Sequence, residues 1–406
     1  MIIKKCRNCH SKRFSKILDL GNQYFTGYFP SKNQRVPKGN LQLILCNKCK
    51  LVQLKHNFDL NKLYGKNYGY RSSLNKSMVA HLKKKQKFLI KKYKIKKEDY
   101  VLDIGSNDGT FLNFFENYQN LYGIDPTIMK FGKYYNKGIN KISDFFSSYR
   151  LKKKTNKKFK LITSMSMFYD LKQPNLFIRD IKNSLSENGI WHFEQSYLPL
   201  MIKTLSFDTI CHEHLEYYSF AIVNKMLNQN GMKILNVKFN SINGGSFEIY
   251  STKKNTNLYK VDKKNINRIL KKEKSEGFEN LDVYRNFSKK IEKHKLKLKS
   301  LLNSIKQKNK KIFGYGASTK GNVLLQYYKI DNSTLDGIFE VNENKFGKFT
   351  PGTKIPIIDE KKLYKIKPDY LLVLPWHFKN FFIKKLKNKL PSKTKFIFPL
   401  PKVSIV

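Results

Sequence analysis

From Tyr100 onward, short apolar runs alternate with segments whose apolar residues recur at every third or fourth position. YVLDIG, LYGID, FKLITSMSMF and GIWHFEQ read as strands, while NLFIRDIKNSL and SFAIVNKMLNQNG read as amphipathic helices, the second ending at Gly231. GTFLNFFENY reads as a helix opening straight after a glycine turn. Strand and helix in alternation predict βαβ units and a parallel sheet. MKILNVKFN and GGSFEIYSTK read as a closing β-hairpin. Upstream, an amphipathic helix starts near Asn75, after the aromatic loop LYGKNYGYRSS. Downstream, a Lys-rich helical pattern from about Lys263 to Lys308 reads as an inter-domain spacer. A second α/β unit runs from KKIFGYGASTKGNVLLQYY through LDGIFEV to DYLLVLPW.

A chain of 406 residues suits two or three domains. With 40% hydrophobic and 14% aromatic residues it can fill several cores, which excludes a disordered class. It has no apolar run of the roughly 18 residues that a membrane span needs. MIIKKCRNCHSK offers no signal-peptide core, so the expectation is a soluble cytoplasmic protein, monomer or homodimer, with no membrane partner. The formal charge of +50 points at first to nucleic acid, but only eight of the 80 basic residues are Arg, and they are spread along the chain. Readers of bases and phosphates favour the arginine fork. A solvated lysine surface without a nucleic-acid partner is therefore expected, and its field suits an anionic small substrate.

Three stretches carry chemistry. Cys6-x-x-Cys9 and Cys46-x-x-Cys49 are two complete pairs of the kind that closes a tetrahedral thiolate cage around a structural zinc. His10 or His56 replacing one thiolate is the rarer variant. VLDIGSNDGTF is a strand, a glycine turn and a helix start in which Gly105 and Gly109 let a ligand approach the backbone. Asp103 and Asp108 make that turn acidic, which repels a pyrophosphate and suits the sulfonium and ammonium of S-adenosylmethionine (SAM). Asp125, at the end of the next strand, is placed to bind ribose hydroxyls, and Asp144 and Phe145 could meet the adenine. FGYGASTKGN repeats the strand–turn–helix logic with a neutral-to-basic turn. Gly314, Gly316, Ser318 and Lys320 there suit a phosphate or nucleotide. Finally, CHEHLEYY concentrates His212, Glu213 and His214 beside Cys211. It reads as a general base, a structural loop, half a metal site or a cysteine nucleophile.

The ordered set CxxC…CxxC, YGYRSS, VLDIGSNDGT, SMFYDL, CHEHLEYYS, NGGS, GYGASTKGN and DYLLVLPWHFKN resembles the three-part SAM-dependent C-methyltransferases of nucleotide-linked keto-deoxysugars, across nearly the whole chain. The resemblance implies an α/β protein with three domains: a zinc-binding domain (1–60), a class I methyltransferase core of Rossmann-like fold (61–255), and a smaller Rossmann-like C-terminal domain that helps hold the sugar nucleotide (256–406). Asn243, Gly244 and Gly245 of NGGS fall to substrate binding by the same resemblance. It implies His214 as general base, with Glu213 orienting its imidazole. Tyr68, Tyr70 or His212 would donate to the enolate oxygen. Where the family carries a tyrosine three residues before the base, this chain has Cys211. Near the family's histidine after the fourth strand it has Asp170. Both departures bear on which sugar and which carbon are methylated. The competing expectation is a zinc-containing SAM-dependent tRNA or rRNA methyltransferase. The amine-methylase turn with paired prolines is absent from SMSMFYDL.

Overall fold

The structure is a computed structural model and describes residues 1–59, 63–64 and 69–406. β1 (Phe14–Tyr24), β2 (Lys38–Cys46) and β3 (Val52–Leu54) form an antiparallel sheet. α1 (Lys76–Tyr93) begins where the Asn75 side chain accepts hydrogen bonds from the Ser77 and Met78 N–H groups. It buries Leu82, Leu89 and Tyr93, a spacing that keeps them on one face.

The central domain contains β4 (Val101–Ile104), β5 (Leu121–Ile124), β6 (Asn140–Ile142), β7 (Phe159–Met165), α2 (Pro174–Ser184) and β8 (Leu185–Ser196). After them come β9 (Glu216–Tyr217), α3 (Phe220–Gln229), β10 (Met232–Asn240) and β11 (Ser246–Lys253). Seven strands order as β10-β11-β8-β7-β4-β5-β6. β4 to β8 run parallel, and β11 pairs antiparallel with β8 and with β10, giving the expected hairpin at one edge. The winding reverses at β4, with β5 and β6 on one side and β7 and β8 on the other. Ligands of such sheets bind beyond the carboxyl ends at that reversal. β9 leaves this sheet altogether. It pairs antiparallel with β3, Gln53 opposite Glu216, and becomes the fourth strand of the N-terminal sheet.

α4 (Lys263–Ser275) and α5 (Leu281–Gln307) lead into β12 (Ile312–Tyr315), α6 (Thr319–Tyr328), β13 (Ile338–Glu340), β14 (Ile357–Asp359), β15 (Tyr370–Val373), β16 (Lys395–Phe398) and β17 (Ser404–Ile405). These strands order as β14-β13-β12-β15-β16-β17, parallel except for β17.

Two sequence expectations are corrected. GTFLNFFENY forms only a short 3-10 turn, Leu112–Phe114, and no α-helix. Phe111, Leu112 and Phe115 are buried, and the turn stops at Phe115, shortly before left-handed Asn117 (φ 63°). The Lys-rich stretch is not a spacer. It breaks at left-handed Gly277 into α4 and α5, and α5 buries Tyr284, Phe287, Ile291, Leu298, Leu302 and Ile305. That stripe joins Leu18 and Leu20 of β1 and the C-terminal strands in one continuous core. Among the described residues, no helix is long and apolar enough to cross a membrane.

Candidate active site

The two cysteine pairs sit on matching tight turns. The His10 N–H donates to the Cys6 carbonyl (3.0 Å) and the Lys50 N–H to the Cys46 carbonyl (2.9 Å), with His10 and Lys50 both left-handed. The four Sγ atoms lie within 4.8 Å of one another, with Cys6–Cys49 at 3.6 Å and Cys9–Cys46 at 3.5 Å. A tetrahedron with sulfur about 2.3 Å from its centre has edges of roughly 3.8 Å, so the cage fits a zinc ion. Gln53 Nε2 donates to Cys6 Sγ at 3.1 Å, favouring the thiolate. His56 is not part of the cluster. Its ring lies against Phe58.

At the reversal of the central sheet, Asp103 on β4 is buried and accepts from Thr163 Oγ1 at 2.6 Å. Burial pushes its carboxyl up to about 7. Gly105 and Gly109 are left-handed (φ 71° and 75°), and a Cβ on Gly109 would lie 2.7 Å from the Tyr135 ring. Asp108 accepts from Thr110 Oγ1 (2.6 Å) and from the Ser73 N–H (3.1 Å), and faces Arg71 Nε at 3.5 Å. Asp125 accepts from the N–H and hydroxyl of Thr127 (2.6 Å each) and from the Asn107 N–H (2.9 Å). A carboxylate has about four lone-pair sites, so Asp125 keeps capacity for a ribose diol. Three carboxylates around one glycine turn fit a cationic cofactor with a ribose. Asp144, beyond β6, pairs with Arg150 and accepts from the Phe145 N–H at 2.8 Å. Asp144 and Arg150 line a groove with Tyr149 and Lys153, and Phe145 is not among its lining residues. Tyr70 and Ser72 close over the turn: Asn107 Nδ2 donates to the Tyr70 carbonyl, and the Ser72 N–H donates to Asn107 Oδ1 at 3.0 Å. The Tyr70 side chain is half-exposed. Tyr68 lies outside the described residues.

His214 lines a small cavity with Tyr169, Ser196, Met201, Thr209 and Glu216. Its Nδ1–H donates to the Thr209 carbonyl at 2.9 Å, and its ring lies 4.3 Å from that of Tyr169. A carbonyl only accepts, so Nδ1 carries the proton and the lone pair of the neutral ring is on Nε2. Burial, and then the Lys320 charge, lower this imidazole to about 4, so it is neutral at pH 7. The orienting partner is thus Thr209 and not Glu213. The Glu213 carboxyl is buried next to Cys211, with Oε1 3.0 Å from where a Cβ on Gly27 would sit. His212 is also corrected. It is fully buried between Phe25 (4.6 Å) and Phe58 (4.8 Å) and bonds the Gly39 carbonyl. The reason is a turn, closed by the His214 N–H to the Cys211 carbonyl at 3.2 Å, which sends the two histidines to different surroundings. Burial pushes the Cys211 thiol well up, which does not suit a nucleophile.

The C-terminal domain meets this region through Lys320 and Trp376. Lys320 Nζ donates to the Asn243 carbonyl at 2.6 Å, and Trp376 Nε1 donates to buried Asp208 at 2.8 Å. Ser318 caps α6 by accepting from the Gly321 N–H. Gly244 lies 3.6 Å from Trp376 at its Cβ position, and Gly245 packs on Leu200. Left-handed Gly316 (φ 80°) packs on Pro375. Gly314 does not reach the cleft: it sits inside β12, where a Cβ would lie 2.7 Å from Ile338.

Two features escaped the sequence reading. Among the described residues, Tyr64 reaches Asp170, donating to Oδ2 at 2.6 Å. Burial holds that carboxyl well above its ordinary range. Buried Glu194 binds His81 Nε2 at 2.9 Å and Asn240 Nδ2 at 3.0 Å, and its carbonyl accepts from the Ser166 N–H at 2.7 Å. Loop tyrosines at close spacing signalled the first. No motif marks the second.

Residues 6–64 match a zinc binding domain family, residues 75–237 a methyltransferase domain, and residues 241–401 the C-methyltransferase C-terminal domain. The chain is thus a SAM-dependent methyltransferase of three-part architecture, with an N-terminal zinc-binding domain, a Rossmann-like core and a C-methyltransferase C-terminal domain. It is homologous to C-methyltransferase NovU of Streptomyces niveus, being 24% identical over 410 residues that span 100% of this chain and 97% of NovU. Solved structures share less. A SAM-dependent methyltransferase from Clostridium acetobutylicum is 17% identical, with TM-score 0.34 over 42% of this chain and 91% of that one. Magnesium protoporphyrin IX methyltransferase from Synechocystis is 12% identical, with TM-score 0.35 over 48% and 92%. Likeness at that level says nothing about this chain's reaction.

Proposed function

We propose that this enzyme methylates a carbon next to the ketone of a nucleotide-linked keto-deoxysugar, with His214 as general base. The observation that carries the reading is the His214 tautomer. Its Nδ1–H is committed to the Thr209 carbonyl, which leaves the lone pair on Nε2 of a ring that lines a cavity. A carbon beside a ketone is acidic enough for an imidazole to deprotonate when the enolate oxygen is stabilised, and the enolate carbon is then the nucleophile. SAM, held by Asp103, Asp108, Asp125 and the glycine turn, supplies an electrophilic methyl group. His214 Nε2 takes the α-proton, and the electron pair of the C–H bond passes into the enolate. The enolate carbon then forms the new C–C bond as the carbon–sulfur bond breaks. Tyr70, or Tyr64 beside Asp170, would donate to the enolate oxygen. Lys320 and Ser318, at the start of α6, suit the phosphates of the nucleotide, and Asn243 and Gly244 face the same junction.

The test is a mass-spectrometric screen for SAM-dependent methylation across 4-keto sugar nucleotides. It is paired with exchange of the α-proton in deuterium oxide by the wild type and by His214→Ala. Methylation of one sugar nucleotide, with exchange lost in the variant, is expected. No methylated sugar nucleotide, together with tight RNA binding and a steep salt slope, would instead support an RNA methyltransferase, the reading that the +50 charge raises at first sight.

A further inference from the structure

We propose that Arg7, which lies between the two cysteines of the first pair, is a positioning residue for His214. It fastens the segment that carries the imidazole to the zinc-binding sheet and touches no substrate. The inference rests on the reading of His214 as the base, but its geometry stands apart from any substrate.

Arg7 is almost fully buried, and its guanidinium serves both partners of one seam. Nη1 donates to the Leu54 carbonyl at 2.7 Å and lies 3.4 Å from the Leu215 carbonyl. Nη2 donates to the His56 carbonyl (2.9 Å) and to Asn57 Oδ1 (2.6 Å), and Nε faces Glu216 at 3.5 Å. The Leu215 carbonyl also accepts the Leu54 N–H at 2.8 Å, the first bond of the seam that β3 and β9 continue. Leu215 directly follows His214, and its own N–H donates to the Tyr169 carbonyl at 2.8 Å. The Tyr169 ring in turn rests on the imidazole. The backbone after His214 is therefore held from two sides, and the Thr209 carbonyl can fix the ring only while that backbone stays in place. Glu216 adds a reason for a cation here. Its carboxyl is buried, and among the described residues neither oxygen has a hydrogen-bond partner; burial pushes the carboxyl well up, and the Arg7 charge 3.5 Å away pulls the other way. A lysine could supply that charge but not the planar fork that reaches Leu54, Leu215 and His56 at once.

The experiment uses the full-length, zinc-loaded protein and the variants Arg7→Met, Arg7→Lys and Arg7→Met/Glu216→Gln. Zinc stoichiometry, the melting curve and SAM affinity by calorimetry report the fold. The tautomer and titration of His214 are read by NMR on protein with labelled histidine, its signals being assigned by their loss in His214→Gln. Zinc content and SAM affinity are expected to stay within about twofold of wild type. In Arg7→Met the single Nδ1–H tautomer of His214 should give way to a mixture, and its titration should move toward that of a free histidine. Arg7→Lys and the double variant should each recover part of the wild-type signal. An unchanged His214 tautomer in a folded, zinc-loaded Arg7→Met overturns the proposal. So does loss of zinc from both Arg7→Met and Arg7→Lys, because Arg7 would then serve the metal site alone. Failure of His214→Ala to abolish methylation would sink the base assignment without touching these signals, so the two readings fail separately.

Discussion

His214 and Lys320 come from different domains, yet the charge of one lowers the basicity of the other. A substrate whose phosphates neutralise Lys320 would relieve that effect and make Nε2 a stronger base only when the substrate is bound. The pH profile checks this. The acid limb of kcat/KM reports the free enzyme and should lie well below pH 6.5, and the acid limb of kcat should lie above it. Lys320→Met should bring the two limbs together. His212 gives a stability prediction. Burial lowers it to about 4, whereas in the unfolded chain it titrates near 6.5. Between those values the unfolded state binds the extra proton, so this group makes the protein less stable as pH falls, by about 1.4 kcal/mol per pH unit. In urea titrations from pH 7 to pH 4.5, His212→Phe should show a shallower loss. Gly109→Ala places a side chain in a left-handed backbone and against Tyr135, so a loss of about 2–4 kcal/mol is expected. A melting curve like that of the wild type would contradict it.

Elements decide what single residues could not reveal. The cysteine pairs were legible because metal chemistry fixes their spacing, and the strands of the central sheet were legible because burial on both faces makes them apolar throughout. The CHEHLEYY stretch was legible as a place but not as an arrangement. Its turn separates His212 from His214, and its last strand pairs with β3, some 160 residues earlier in the chain. Periodicity also fails where a left-handed residue follows closely, as Asn117 does after Phe111 to Phe115. It found α5 as a helix but not its place in the core: a lysine-coated helix looks solvated until a strand is found to cover its narrow stripe. At this scale the zinc matters through the seam. Cys46→Ser should release the metal, loosen β2 and β3, and lower methyl transfer more than SAM affinity. Elemental analysis beside calorimetry would detect the opposite pattern.

The whole molecule is held by contacts that ignore the order of its parts. β1 packs on α5 and the C-terminal strands, the Tyr24 N–H donates to Gln326 Oε1 at 2.8 Å, and Asn322 Nδ2 donates to the Thr26 carbonyl at 2.7 Å. Trp376 fastens the C-terminal domain to the loop before His214. Scanning calorimetry should therefore give one cooperative transition for the N-terminal and C-terminal parts together. Trp376→Ala, which leaves Asp208 without its donor, should shift that transition down as a unit. Two separate transitions in the wild type would contradict the shared core.

The return of β9 to the N-terminal sheet also limits how such chains can be recombined. A graft that replaced residues 1–59 alone would pair a foreign β3 with the native Glu216–Tyr217 and set a foreign residue where Arg7 meets Leu215. The unit that can be exchanged between relatives is therefore discontinuous: the first 59 residues together with Phe207–Phe220, which lie in the middle of another domain's sequence.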